Sequence, residues 1–327
     1  MRTFVLTTLI CCTAIPAFAH ESDDAVLHDI THLFDAATVV SGPEVVDCTL
    51  SGGAKTTCFS ITVKPEPQSY TPGPWCPTSI NDSAEKGGIW LENGQVNDVD
   101  GAFVANLSTF YDDPEWQFFD EATGKVRVTD TQEACEAAAR PDVDPAYNNY
   151  CVQCLPEYLP DDATVTYVIP LVPQAATNDS PTQMSGSGVA YNGVRLDGPA
   201  PVQDILAAHT IAPFDDCGGH VNTHVGYHYH AVTDCLNDGP SVENHASQIG
   251  IAMDGYAIFA HALADGTTPG DLDACNGHAA DGMSYHYHAG EAGGNAILSC
   301  LKAQSGCASE DPDAVCDASA MGRPPRP

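Results

Sequence analysis

Two stretches of this sequence space their imidazoles as a single metal ion would require. Residues 217–231 read CGGHVNTHVGYHYHA and residues 275–289 read CNGHAADGMSYHYHA. Successive side chains of an extended strand point to opposite faces, so Tyr-His-Tyr-His sets His228 and His230 against Tyr227 and Tyr229. The second stretch does the same with His286 and His288 against Tyr285 and Tyr287. Each H-x-H pair offers two ligands to one ion, and His220 or His278, just upstream beside a glycine, supplies a third. Such three-imidazole sets suit copper or zinc; magnesium and calcium take oxygen ligands.

Other residues have chemical potential of their own. His28 and His32 are four apart, as helical metal ligands would be, and cleavage of a leader before His20 would add an α-amino group to that imidazole. His20, His28 and His32 therefore form a second candidate metal set. Asp254, in Met-Asp-Gly, is a candidate general base, or a carboxylate partner for the second nitrogen of a metal-bound histidine. Ser284 stands in a G-x-S-x-H context that lacks the closing glycine of a nucleophile elbow, so it is a poor nucleophile candidate. Phosphate-loop, dinucleotide and H-E-x-x-H patterns do not occur.

The elements that must hold these histidines are themselves repeated. Cys217, Gly219, His220 and Tyr227 through Ala231 all recur 58 positions later without a gap, which marks an internal duplication. Upstream, residues 188–193 (GVAYNG) answer residues 250–255 (GIAMDG) at an offset of 62. Each reads as an apolar strand ending in an Asn-Gly or Asp-Gly turn. The unit is thus strand, turn, variable connection, Cys-x-Gly-His, then Tyr-His-Tyr-His. A cysteine also follows each histidine strand, which suggests the pairings Cys217–Cys235 and Cys275–Cys300.

Before the repeat, residues 48–173 have the texture of short strands and turns. Residues 57–63 alternate as a strand would, residues 64–77 are rich in proline, and residues 165–173 read as a buried or edge strand interrupted at Pro170. Residues 130–139 are the one helix expected here, with Asp130 as N-cap. Asp98 and Asp100-Gly101 read as a plain turn, since Leu107 stands where a calcium loop needs Glu. Cys151 and Cys154, with no second C-x-x-C, are expected to end different disulfides. Residues 174–187 form the best internal seam. Near the N-terminus, Leu27, Ile30, Leu33 and Phe34 fall on one helical stripe.

Composition bounds the setting. Residues 1–19 carry Arg2, a short apolar core and Ala17-Phe18-Ala19, the pattern of a cleaved signal peptide, and no other stretch is apolar enough to span a bilayer. Setting aside Cys11 and Cys12 leaves 12 of the 14 cysteines, an even number in an exported chain, which implies disulfides. With 44 acidic against 11 basic residues the formal charge is −33. A chain so charged is a poor partner for nucleic acid or anionic membranes and attracts cations.

Residues 188–194, the Gly219-His220 to Ala231 stretch, residues 251–256 (IAMDGY) and residues 271–278 (DLDACNGH) with the second Tyr-His-Tyr-His together resemble the bacterial YHYH-domain proteins. The resemblance covers residues 181–302. That family is named for its motif, so the resemblance implies no reaction and carries over no catalytic residues.

The sequence therefore predicts a mainly β protein, a disulfide-stapled β-sandwich or β-barrel-like core with an internally duplicated unit and a few short helices. Its expected divisions are a signal peptide (1–19), an N-terminal leader helix (20–47), a β-rich part (48–180), the duplicated core (181–305) and a flexible tail (306–327). The β-rich part and the duplicated core are not necessarily separate domains. The leading expectation is a periplasmic or secreted transition-metal-binding protein. Its alternatives are a metal-dependent hydrolase or copper oxidase and a non-catalytic module with structural histidines.

Overall fold

An eight-stranded sheet runs through the repeat in the order Gly277–His278, His286–His288, Ala257–Phe259, Gln248–Ala252, Gly188–Ala190, Arg195–Leu196, Gly226–Tyr229, Gly219–Asn222. The computed structural model describes residues 23–182, 186–236, 245–280, 282–311 and 314–320. Each copy of the unit contributes four neighbouring strands, and the copies meet at the central antiparallel pair of Gly188–Ala190 with Gln248–Ala252. Within each half the histidine strand lies parallel to the strand after the Gly turn, with Tyr229 opposite Leu196 and Tyr287 opposite Ile258. It lies antiparallel to the Gly-His strand, with His220 opposite His228 and His278 opposite His286.

A second sheet of four strands has the order Val39–Thr49, Lys55–Val63, Val165–Pro170, Cys307–Ser309. Its Phe59, Ile61, Tyr167 and Ile169 share one buried core with Val189, Tyr227, Tyr229, Ile251 and Tyr287 of the large sheet. Two-stranded pairings of Leu301–Ala303 with Ala175–Ser180 and of Ile89–Glu92 with Gln95–Asp98 complete the β structure. The protein is mainly β and sandwich-like, and no sheet closes into a barrel among the described residues.

Six disulfides join Cys48–Cys58, Cys76–Cys151, Cys135–Cys154, Cys217–Cys235, Cys275–Cys300 and Cys307–Cys316. Cys151 and Cys154 do end different bridges. This density fits an extracellular or secreted protein. No helix among the described residues is long and apolar enough to cross a membrane.

Several local expectations change. The helix expected over 130–139 runs Gln132–Ala138 and is capped by Thr131, whose hydroxyl accepts from the Ala134 amide, rather than by Asp130. Asp100 is more than a turn residue: its carboxylate accepts from the Phe103 amide and caps a helix over Gly101–Ala105. A helix over Leu107–Phe110 comes next, so residues 48–173 hold more helix than their composition suggests. Pro170 ends its strand instead of interrupting it, and that strand is internal to its sheet, between Lys55–Val63 and Cys307–Ser309. The polar run at 174–187 is not only a seam, because Ala175–Ser180 pairs as a strand. The acidic segment after Cys307 is strapped by Cys307–Cys316 and by the Ala318 amide donating to the Thr49 carbonyl. Composition alone reads that stretch as a flexible tail.

The helix over Asp23–Leu33 leads Ile30 and Phe34 into the main core, with the Phe34 ring 5.5 Å from that of Tyr191. Residues 1–19, read above as a signal peptide, His20 and residues 321–327 lie outside the described residues.

Candidate metal centre

The tyrosine face of each histidine strand fixes the strand, and the aspartates that do this also repeat. The Tyr227 hydroxyl donates to Asp215 at 2.8 Å, and the Tyr285 hydroxyl donates to Asp273 at 3.0 Å. Both aspartates also accept from the backbone amides of the cysteine and glycine downstream of them: Cys217 and Gly219, Cys275 and Gly277. The repeated phrase is therefore Asp-x-Cys-x-Gly-His. Its glycine is required sterically, because a Cβ at Gly219 would meet the Tyr227 hydroxyl at 2.4 Å and one at Gly277 the Tyr285 hydroxyl at 2.1 Å. Burial pushes the Asp215 carboxyl up. At Asp273 burial acts the same way but is outweighed by the hydrogen bonds it accepts, one from Lys302 among them, and the carboxyl is lowered.

The second tyrosine of each motif is held from the Gly turn. Asn192 donates to the Tyr229 hydroxyl at 2.8 Å, and at the equivalent position Asp254 accepts from the Tyr287 hydroxyl at 2.7 Å. Asp254 is fully buried and also accepts from the Ala303 amide at 3.0 Å, and burial raises its carboxyl above the ordinary range. It thus stands on the tyrosine side of the strand, away from the imidazoles, and its counterpart is an amide. Tyr70 adds a further link in the first copy, its hydroxyl 3.0 Å from that of Tyr227 and 2.6 Å from that of Tyr229.

On the other face the histidines converge. His220, His228 and His230 bring one ring nitrogen each within 4.8 Å of one another, and so do His245, His278, His286 and His288. In the first group the ring centroids are 4.7–5.0 Å apart. Hydrogen bonds settle which nitrogen faces inward. A carbonyl oxygen can only accept, so an imidazole bonded to one through Nδ1 carries its proton there and leaves Nε2 with a bare lone pair. His228 donates to the Gly226 carbonyl and His230 to that of Gly198. His286 donates to the Ser284 carbonyl and His288 to that of Ala260. These partners are equivalent between the copies. His278 Nδ1 is 2.8 Å from the Asp271 carboxylate, the carboxylate–histidine arrangement that orients metal ligands.

The residues fit a transition metal. Nε2 of His278 and Nε2 of His288 are buried with no hydrogen-bond partner, and buried polar atoms are ordinarily satisfied. A tetrahedral ion about 2.0–2.1 Å from each nitrogen would hold its ligand atoms about 3.3 Å apart; Nε2 of His245 and Nε2 of His286 are 3.1 Å apart. Four of the imidazoles are held toward the neutral form that ligation demands. Burial, reinforced by the neighbouring imidazoles, holds His220 well below its usual range; burial and His230 do so for His228, and burial lowers His230. Burial depresses His288 to about 4. Both groups could hold a metal ion. A third cluster, Asp179 with Cys275 and Cys300, offers no thiolate because its cysteines are bonded to each other.

Residues 166–271 match the family model described as YHYH protein. That stretch of the chain is similar to the YHYH protein family. No curated protein and no solved structure matches it. The family match takes in the whole first histidine group and ends before His278, so three of the four histidines of the second group lie beyond it.

All six histidines expected from the two YHYH strands and their upstream loops are brought together, three in each group. His245 is the addition. It precedes the strand over Gln248–Ala252, outside either histidine phrase, and its equivalent at an offset of 62 is Gln183, which has no imidazole. No periodicity announces it; it reaches the second group because Gln248–Ala252 pairs with Ala257–Phe259, which in turn lies beside the histidine strand of the same half. His28 and His32 do approach, Nε2 to Nε2 at 3.3 Å, on an exposed helix face, and they join neither group. Ser284 contributes its carbonyl, to His286.

Proposed function

We propose that this protein is exported and binds a transition metal, copper or zinc, through His220, His228 and His230 and through His245, His278, His286 and His288. Proton placement supports the reading most directly. Nδ1 protons committed to carbonyls leave Nε2 lone pairs facing each other in the interior, and such an arrangement is unfavourable without a shared electrophile. A metal bound there would supply Lewis acidity or, if copper, a redox centre. The chain supplies neutral imidazoles, fixed tautomers and a rigid β support. Export is supported by the cleavable leader pattern of residues 1–19 together with six disulfides, and the charge of −33 would raise the local concentration of cations.

The test is elemental analysis of untagged protein purified from its natural compartment and dialysed mildly. One copper or zinc ion per histidine group is expected. Trace content of both metals, with no uptake of either on addition, would overturn the reading.

A further inference from the structure

The two histidine groups are related by duplication but differ in what completes them. In the second group His245 is a fourth imidazole, its ring 5.0 Å from that of His286 and 4.9 Å from that of His288. Phe259 packs against the same rings, 4.9 Å from His245 and 4.9 Å from His286. The first group has three imidazoles. At the position equivalent to Phe259 it carries Asp197, whose carboxylate is held by Arg195 at 3.2 Å and the Gly198 amide at 2.8 Å. His220, His228, His230 and Asp197 all line one cavity of about 400 Å³, within the range of small-molecule sites. Among the described residues that cavity is otherwise walled by small apolar side chains with Ile205 on one side, and by the polar side chains of Arg140, Gln153, Thr182, Thr210 and Asn222.

Resting on the metal-binding reading above, we propose a division of labour. The four-histidine group is a closed centre in which side chains fill the coordination of a tetrahedral ion. The three-histidine group is an open centre whose remaining position faces the cavity and takes an exogenous ligand. Closed coordination belongs to structural sites and three protein ligands with one free position to sites that engage other molecules. The cavity defines the chemical class of that ligand: a compact, mostly apolar molecule with one metal-seeking donor atom. It is neutral, because an acidic chain and the Asp197 carboxylate both oppose an anion, while Arg140 in the lining is already paired with Asp142. An N–H or O–H on it would find Asp197 as acceptor, as in an alcohol, a phenol or an azole. No carboxylate stands in the corresponding place of the closed centre, where Phe259 excludes such a molecule.

The experiment uses the full mature protein loaded with cobalt(II), whose visible bands report coordination, and imidazole as the neutral probe. Metal analysis is expected to give one cobalt per group, and imidazole to shift the bands of only part of the bound cobalt. That response should be lost in His228→Gln/His230→Gln and kept in His286→Gln/His288→Gln. Because those variants alter ligands, Ile205→Trp provides a check that leaves every ligand in place: it should suppress the imidazole response with cobalt content unchanged. Full cobalt loading with no imidazole response, or a response that survives Ile205→Trp and His228→Gln/His230→Gln, would overturn the open-centre proposal and leave metal binding standing. Failure to take up cobalt, copper or zinc would overturn both.

Discussion

Val189 and Ile251 face each other across the central strand pair, flanked by Gly188 opposite Ala252 and Ala190 opposite Gly250. These are equivalent positions of the repeat, so the two halves pair about a local two-fold axis that runs between them. Each half covers an edge strand that the other would leave open. The closeness of this contact yields a first prediction. A Cβ at Gly188 would lie 2.3 Å from the Ile251 carbonyl oxygen, and one at Gly250 would lie 2.3 Å from that of Val189. Gly188→Ala and Gly250→Ala should therefore each destabilise the metal-free protein by about 1–3 kcal/mol, the usual range for forced overpacking. Thermal unfolding of both variants is the check, and a neutral effect at either position would contradict the symmetry of the contact.

Completion of the second group by His245 predicts unequal metal retention. Under a chelator, one ion should leave fast and the other slowly, the slow one belonging to the four-histidine group. His245→Gln should abolish the difference. Asp271→Asn, which weakens only the orienting hydrogen bond to His278, should lower affinity at that group by about 10–100-fold. Competition titration with a chromophoric chelator measures both, and equal release rates in the parent protein would count against the assignment of His245.

The histidine sets are legible in the sequence because strand alternation is a two-residue rule and the duplication repeats it. His228 with His230 and His286 with His288 follow from period alone, and His220 and His278 from the glycine beside them. His245 is not legible, since its approach to His286 depends on how Gln248–Ala252 is laid beside Ala257–Phe259 and that strand beside His286–His288. Asp254 shows the opposite limit. A lone aspartate near a histidine motif suggests acid–base chemistry, yet its contacts are with Tyr287 and Ala303. The short helices after Asp100 are hidden because a five-residue helix has too few turns to display periodicity. The strapping of the acidic C-terminal segment depends on Cys316, whose pairing partner no local pattern identifies.

The disulfides should differ in their contributions according to the chain they enclose. In the chain-entropy account, the Cys76–Cys151 bridge, with a separation of 75, restrains the unfolded chain by about 4.5 kcal/mol. The Cys217–Cys235 bridge, with a separation of 18, does so by about 3 kcal/mol. Paired Cys→Ala replacements should therefore lower the denaturation midpoint more for Cys76/Cys151 than for Cys217/Cys235. Denaturant titration in the absence of metal compares them. The reverse order would place the larger effect in native packing around the histidine strand.

The Asp254 carboxyl gives a pH dependence of defined sign. Its native pKa is raised by burial above the unfolded value of 3.8. Below 3.8 both states hold the proton, and the hydrogen-bonded carboxyl contributes its full stability. As pH rises through that value the unfolded chain ionises first, and native stability falls until the buried group ionises too. Asp254→Asn has no such titration. It also replaces one acceptor oxygen with a donor: because Oδ2 takes both the Tyr287 hydroxyl and the Ala303 amide, the new NH2 falls at Oδ1 and faces the Tyr256 amide, a change expected to cost about 1–3 kcal/mol. The penalty of Asp254→Asn should therefore be largest near pH 4 and shrink toward neutrality. Melting temperatures of the metal-free parent and variant, followed in parallel from pH 4 to pH 8, test this. A penalty that instead grows with pH would mean that the native site prefers the ionised carboxylate.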